Sequence, residues 1–107
     1  VKPPYLRSLG TRSNLAIWLV DGKYVREHCY ADYTQGGHEF IYDFIPVNEV
    51  WIDDDLSSDE RPFVIAHEVY ERSLMKSGIN YDHAHTWANR IESSLRRVKV
   101  LTGHKND

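Results

Sequence analysis

Cysteine is nearly absent from this chain: Cys29 stands alone among 107 residues. One thiol excludes an internal disulfide and points to a reducing, cytoplasmic setting, with Cys29 expected as a buried structural thiol. Long apolar runs are missing as well. No stretch approaches the roughly 18 apolar residues of a membrane span, so no membrane association is expected. The opening residues lack the basic-then-apolar pattern of a secretory leader. They also lack an initiator Met, as in a chain trimmed or cut from a longer product. Neither sign of charge dominates, with 13 Lys and Arg against 16 Asp and Glu for a net charge of −3. That balance argues against nucleic-acid binding through phosphate contacts. There is no repeat, low-complexity tract or interdomain linker, so residues 1–107 read as one domain with one modest core. Aromatic residues, by contrast, are plentiful: three Trp, seven Tyr and three Phe supply bulk for that core.

Residues 1–12, with Pro3-Pro4 and Gly10, read as an irregular lead-in. Leu15 to Val20 is a short apolar run with strand character. Asp21-Gly22 follows as a hairpin signal, which makes Lys23 to His28 a candidate return strand, although Val25 to Tyr30 also suits a short helix. Thr34 to Gly37 reads as a turn. Phe40, Tyr42 and Phe44 alternate as on one face of a strand starting at Glu39. Pro46 and Asn48 interrupt it, and Glu49 to Asp53 is the last strand. The second half is helical. Pro62 suits only a first turn, which starts a helix near Asp59 or Glu60, and Gly78 closes it after Lys76. Asn80 caps a second helix from Tyr81 to about Leu101, with Ala84, Ala88, Ile91, Leu95 and Val98 as its apolar stripe. The expected fold is α+β, a small antiparallel sheet followed by a helical hairpin that packs on it.

The chemistry concentrates in His67-Glu68-Val69-Tyr70-Glu71, with His85 fourteen residues further on. At about 100° per residue, His67 and Glu71 share one sector of the helix with Phe63, Tyr70 and Leu74. A histidine in an apolar stripe needs hydrogen-bond partners or a metal, and a lone buried carboxylate is costly. Zinc satisfies both. Glu71 precedes Gly78 by seven residues and His85 follows it by seven. In an antiparallel helix pair such positions lie side by side. His67, Glu71 and His85 are therefore the expected metal ligands, with an open position left for water. Glu68, about 100° around from His67, falls at the rim, where a general base acting on metal-bound water belongs. The same ligand set suits iron or manganese. His38, after Gly36-Gly37, is a candidate fourth ligand or substrate contact. Tyr70 and Tyr81 are candidates to steady an oxyanion.

The segment resembles the His-Glu-x-x-His helix of the zincin metallopeptidases, with Glu71 where the second His stands. The resemblance covers that helix, the strand before it and one downstream ligand. It implies His67 as first ligand, Glu68 as catalytic base and Glu49 to Asp53 as the edge strand that aligns an extended peptide. The wider pattern, from Gly36-Gly37-His38 through Phe44-Ile45-Pro46 and Trp51-Ile52-Asp53 to the hairpin, resembles small uncharacterised bacteriophage and bacterial proteins and implies no activity. The expectation is a zinc-dependent hydrolase of a peptide or another small amide or ester.

A different class competes with it. His67 and Glu71 can form a hydrogen-bonded i,i+4 pair in a structural knot, and Glu68 can pair with Arg72. The protein is then a phage-type binding module that works through Phe40, Tyr42 and Trp51. Asp53-Asp54-Asp55 is not a calcium loop of the EF-hand type, since Ser58 and Val64 occupy the required Gly and Glu positions. Arg90, Arg96, Arg97 and Lys99 suit the end of a helix, and Glu92 can pair with Arg96. His83, turned about 200° from His85, is expected in solvent.

Overall fold

The computed structural model describes residues 2–105. The fold is α+β, as expected. Strands β1 (Tyr5–Arg12) and β2 (Leu15–Val20) are followed by helix α1 (Gly22–His28), strands β3 (Gly36–His38) and β4 (Glu49–Asp53), and helices α2 (Arg61–Lys76) and α3 (Tyr81–Lys105). The four strands form one sheet in the order β1-β2-β4-β3. It is mixed, not purely antiparallel: β1–β2 and β3–β4 are antiparallel, while β2 and β4 run parallel.

The alternation of β2 divides its side chains between two packed faces. Leu15, Ile17 and Leu19 join Val50, Ile52, Val64 and Val69 in the core beneath α2. Val20 joins Val25, Tyr33, Ile45 and Trp51 on the opposite side. Burying both faces explains why β2 reads as an unbroken apolar run.

Several local expectations fail. The lead-in is strand β1, whose side chains are exposed or half-buried throughout; without a buried face it carries no apolar alternation. It turns into β2 through Ser13 and Asn14, both at positive φ (52° and 64°), the conformation of a tight two-residue hairpin. Asp21-Gly22 makes no hairpin. The Asp21 carboxylate accepts the Tyr24 backbone N–H at 3.0 Å and caps α1. Gly36-Gly37-His38 is a strand, and Glu39 to Ile45 is instead a chain of turns, with the Ile41 and Tyr42 amides donating to the His38 carbonyl. Its alternating aromatics pack on one another, Tyr42 stacking on Phe44 at 5.1 Å, so their period of two arises without a strand. Cys29 is exposed, not buried.

The helical hairpin follows the sequence closely. Gly78 sits at φ +106°; the Gly78 amide donates to Met75 and the Ile79 amide to Leu74, a Schellman closure. Asn80 Oδ1 accepts the His83 amide at 3.0 Å and starts α3. The stripe of α3 is buried only near the turn: Ala84 and Ala88 are fully covered, whereas Leu95 and Val98 are 40% and 55% exposed. With 25 residues against 16, α3 outruns α2 and leaves its far end uncovered. Among the described residues no helix is long and apolar enough to cross a membrane.

Candidate metal centre

Three elements converge on one carboxylate. Glu71 on α2 is 1% exposed. Its Oε2 lies 3.2 Å from His67 Nε2 and 2.7 Å from His85 Nδ1, and its Oε1 lies 2.9 Å from His38 Nε2. His67 reaches it because i and i+4 share a helix face. His85 reaches it across the hairpin, at the mirror position about Gly78. His38 arrives from the sheet: it pairs with Val50, whose side chain lies in the core beneath α2. Directly paired residues project to the same side, which turns the His38 ring toward α2.

The expected ligands His67, Glu71 and His85 thus stand together, with one ligand atom from each within 4.8 Å of the others. The rings of His67 and His85 meet edge to face at 5.0 Å, and Tyr81 stacks on the outer side of His85 at 5.2 Å. His38, Glu68 and Glu71 form a second group of the same compactness. Hydrogen bonding separates the two. The Phe40 amide donates to His38 Nδ1 at 3.2 Å. A neutral imidazole has one lone pair and one N–H. With the lone pair committed to Phe40, His38 carries its proton on Nε2 and donates it to Glu71. His38 therefore holds the carboxylate and is not arranged as a fourth ligand, which leaves Glu71 Oε2 as the atom facing His67 and His85.

Glu68 departs from its expected place at the rim. It is buried, and its Oε1 has no hydrogen-bond partner. Arg72 is not its partner. That guanidinium binds Glu39 at 2.8 Å and Asn48 at 2.9 Å and lies over the Phe40 ring, tying the 39–48 loop to α2. Glu68 Oε2 lies 3.9 Å from His67 Nε2.

These contacts set the charges. Burial alone would raise the Glu71 carboxyl, but the three imidazoles outweigh it and hold it down at about 2. Glu68 is pushed up to about 8 by burial and by the neighbouring Glu71 charge. Burial lowers His67, yet the Glu71 contact and the charges of Glu68, Glu71 and Glu92 together raise it.

A cavity of about 370 Å³ opens over the cluster, lined by His67, Glu68, Glu71, Tyr81, His85 and Glu92 together with Gly36, Ile41 and Tyr42. Tyr70 is not part of that lining. Burial and the Glu71 and Glu68 charges raise the Tyr81 hydroxyl, which keeps it a donor. The wall on this side is β3, the edge of the sheet; β4, expected there, lies between β2 and β3. Gly37 lets the Tyr42 ring close on the strand, since a Cβ would run into it. Gly37→Ala is expected to displace Tyr42 and cost about 1–3 kcal/mol in a thermal melt. An unchanged melt with unchanged Tyr42 ring shifts would contradict that packing.

The remaining candidates lie elsewhere. Trp51 is buried and donates to Glu49 at 2.9 Å, which removes it from any working surface. Asp53 is buried against Arg26. His83 is exposed, as expected. Glu92 was legible in the sequence only as a partner of Arg96; its second neighbour is His67. No family model, curated protein or solved structure matches the chain.

Proposed function

We propose that His67 Nε2, His85 Nδ1 and Glu71 Oε2 hold one zinc ion, and that the protein is a metal-dependent hydrolase of an amide or ester, with a peptide as the leading substrate. One observation carries this reading. His67 has a carboxylate at each ring nitrogen, Glu71 at 3.2 Å and Glu92 at 3.1 Å. A neutral imidazole has one N–H for these two anions. A second positive group, a proton or a metal ion, belongs on the cavity side. Two imidazoles and one carboxylate are a zinc donor set, and the same set accepts iron or manganese. Zinc–ligand bonds of about 2.0–2.1 Å imply tetrahedral ligand–ligand edges near 3.4 Å. The two distances to Glu71 Oε2, 3.2 and 2.7 Å, need only a small opening.

When bound, such an ion supplies Lewis acidity toward a carbonyl and toward water. The chain's residues supply the rest. Glu68, which lines the cavity with Oε2 3.9 Å from His67 Nε2, takes up and returns a proton. Tyr81 offers a donor on the cavity wall. The edge of β3 offers an extended peptide a strand to run beside.

A structural knot in a phage-type binding module has one observation in its favour: the three imidazoles around Glu71 all lie within hydrogen-bond distance of its carboxylate. Metal analysis separates the readings. The hydrolase reading expects one zinc per chain, lost in His67→Ala. It also expects Glu68→Gln to abolish hydrolysis of an unstructured protein substrate while the zinc stays bound. A folded chain that takes up no metal leaves only the knot.

A further inference from the structure

Resting on the metal reading above, we propose that Glu92 is the outer carboxylate that orients His67 as a ligand, and that the Arg96–Glu60 pair holds Glu92 for this task. Glu92 and His67 come from different helices, and nothing in their sequence spacing joins them.

His67 Nδ1 is buried, has no well-aligned hydrogen bond, and lies 3.1 Å from Glu92 Oε1. A lone pair on Nδ1 would point at an anion, so the neutral ring places its N–H there. The lone pair is then on Nε2, aimed at the cavity and at the Glu71 oxygen that His85 also faces. Ligating histidines generally owe their tautomer and ring orientation to such an outer partner.

Glu92 is itself held. Its Oε2 accepts from Arg96 Nε at 3.1 Å and from a terminal Arg96 nitrogen at 2.9 Å. The same guanidinium donates to both oxygens of Glu60 at 3.0 and 2.9 Å, and its carbon lies 4.5 Å from the centre of the Phe63 ring. Glu60 is the N-cap residue of α2. The line Glu60–Arg96–Glu92–His67 therefore ties the start of the ligand-bearing helix to the ring it carries almost two turns later. On the other side, His38 fixes Glu71 through Oε1. The two outer partners act from opposite directions and leave one ligand atom of each residue facing the cavity. Glu92 acts through His67 and is a positioning residue.

The test uses the full chain, zinc and cobalt. Long-range ¹H–¹⁵N correlation on the zinc-loaded unaltered chain should show His67 protonated at Nδ1 and metal-bound at Nε2. In chelator competition, Glu92→Ala should weaken zinc binding by about 10–100-fold and change the visible spectrum of the cobalt form; the neighbouring Ser93→Ala should change neither. Zinc affinity within twofold of the unaltered chain overturns the role of Glu92 and leaves the metal reading standing. Failure of the unaltered chain to bind zinc overturns both. Should Glu92→Ala not fold, the tautomer in the unaltered chain decides, and a proton on Nε2 overturns the inference.

Discussion

Glu71→Ala should destabilise the metal-free chain by about 3–5 kcal/mol and abolish zinc uptake. The carboxylate is the common acceptor of His38, His67 and His85. Without it, His38 and His67 each lose a buried acceptor; Glu92 and Glu68 still stand near His67, but the His38 N–H is left unpaired, and breaking a buried polar pair on one side is costly. Urea denaturation reads the loss. The difference should depend on acid in a defined way. Glu71 is held at about 2 against an ordinary value of 4.5. Its folded carboxyl is depressed, so the stability it contributes is present above pH 4.5 and is lost as pH falls toward 2. The variant lacks that loss, and the gap between the two proteins narrows over the same interval. A loss under about 1 kcal/mol, typical of exposed ion pairs, would mean that the cluster is far wetter than its geometry.

Glu68→Gln should have the opposite sign. Burial, followed by the charge of Glu71, raises Glu68 from 4.5 to about 8. The folded chain keeps this proton at pH values where the unfolded chain has released it. The stability carried by the proton is complete below pH 4.5 and drains away as pH rises through 8. An amide has nothing to ionise, so the variant escapes the drain. At pH 9 the metal-free variant should be more stable than the parent by about 4 kcal/mol, with little difference at pH 5. His67, whose proton is also favoured in the fold, loses stability in the same direction but in both proteins, so comparing them removes most of its contribution. A stability difference that is the same at pH 5 and pH 9 would contradict a buried, unpartnered Glu68. Together with the expected loss of hydrolysis, the gain describes a residue that the fold tolerates at a cost in stability, as functional groups often are.

The two substitutions also show which parts of the site were legible in the sequence. His67, Glu71 and His85 could be placed together because helical periodicity and the Gly78 turn fix their relation locally. His38 could be suspected from Gly36-Gly37 but not assigned. Its role depends on a three-residue strand and on the Phe40 amide, neither of which leaves a periodic trace. The depth of Glu68 was misjudged because the angle around α2 does not say what lies over that face. Ile41 and Tyr42 of the 39–48 loop, which Arg72 fastens, line the same cavity as Glu68. Glu92 was hidden for the same reason: an i,i+4 partner, Arg96, explains it completely until α3 is laid against α2.

The sheet was legible where burial is two-sided or the apolar run is dense, as in β2 and β4, and illegible where it is not. β1 exposes most of its side chains, and β3 is two glycines and a histidine. The order β1-β2-β4-β3 carries the functional consequence. It puts β3, not β4, at the edge beside the cavity, so an extended ligand would meet Gly36 and Tyr42 in place of Trp51.

Anomalous diffraction at the zinc edge, on crystals of the zinc-loaded chain, locates the ion itself. One strong internal peak is expected, about 2.0–2.2 Å from His67 Nε2, His85 Nδ1 and Glu71 Oε2, with His38 still bonded to Glu71 and not to the ion. A folded chain with no peak at Glu71, or with zinc only on surface histidines such as His83, would contradict the proposed zinc site.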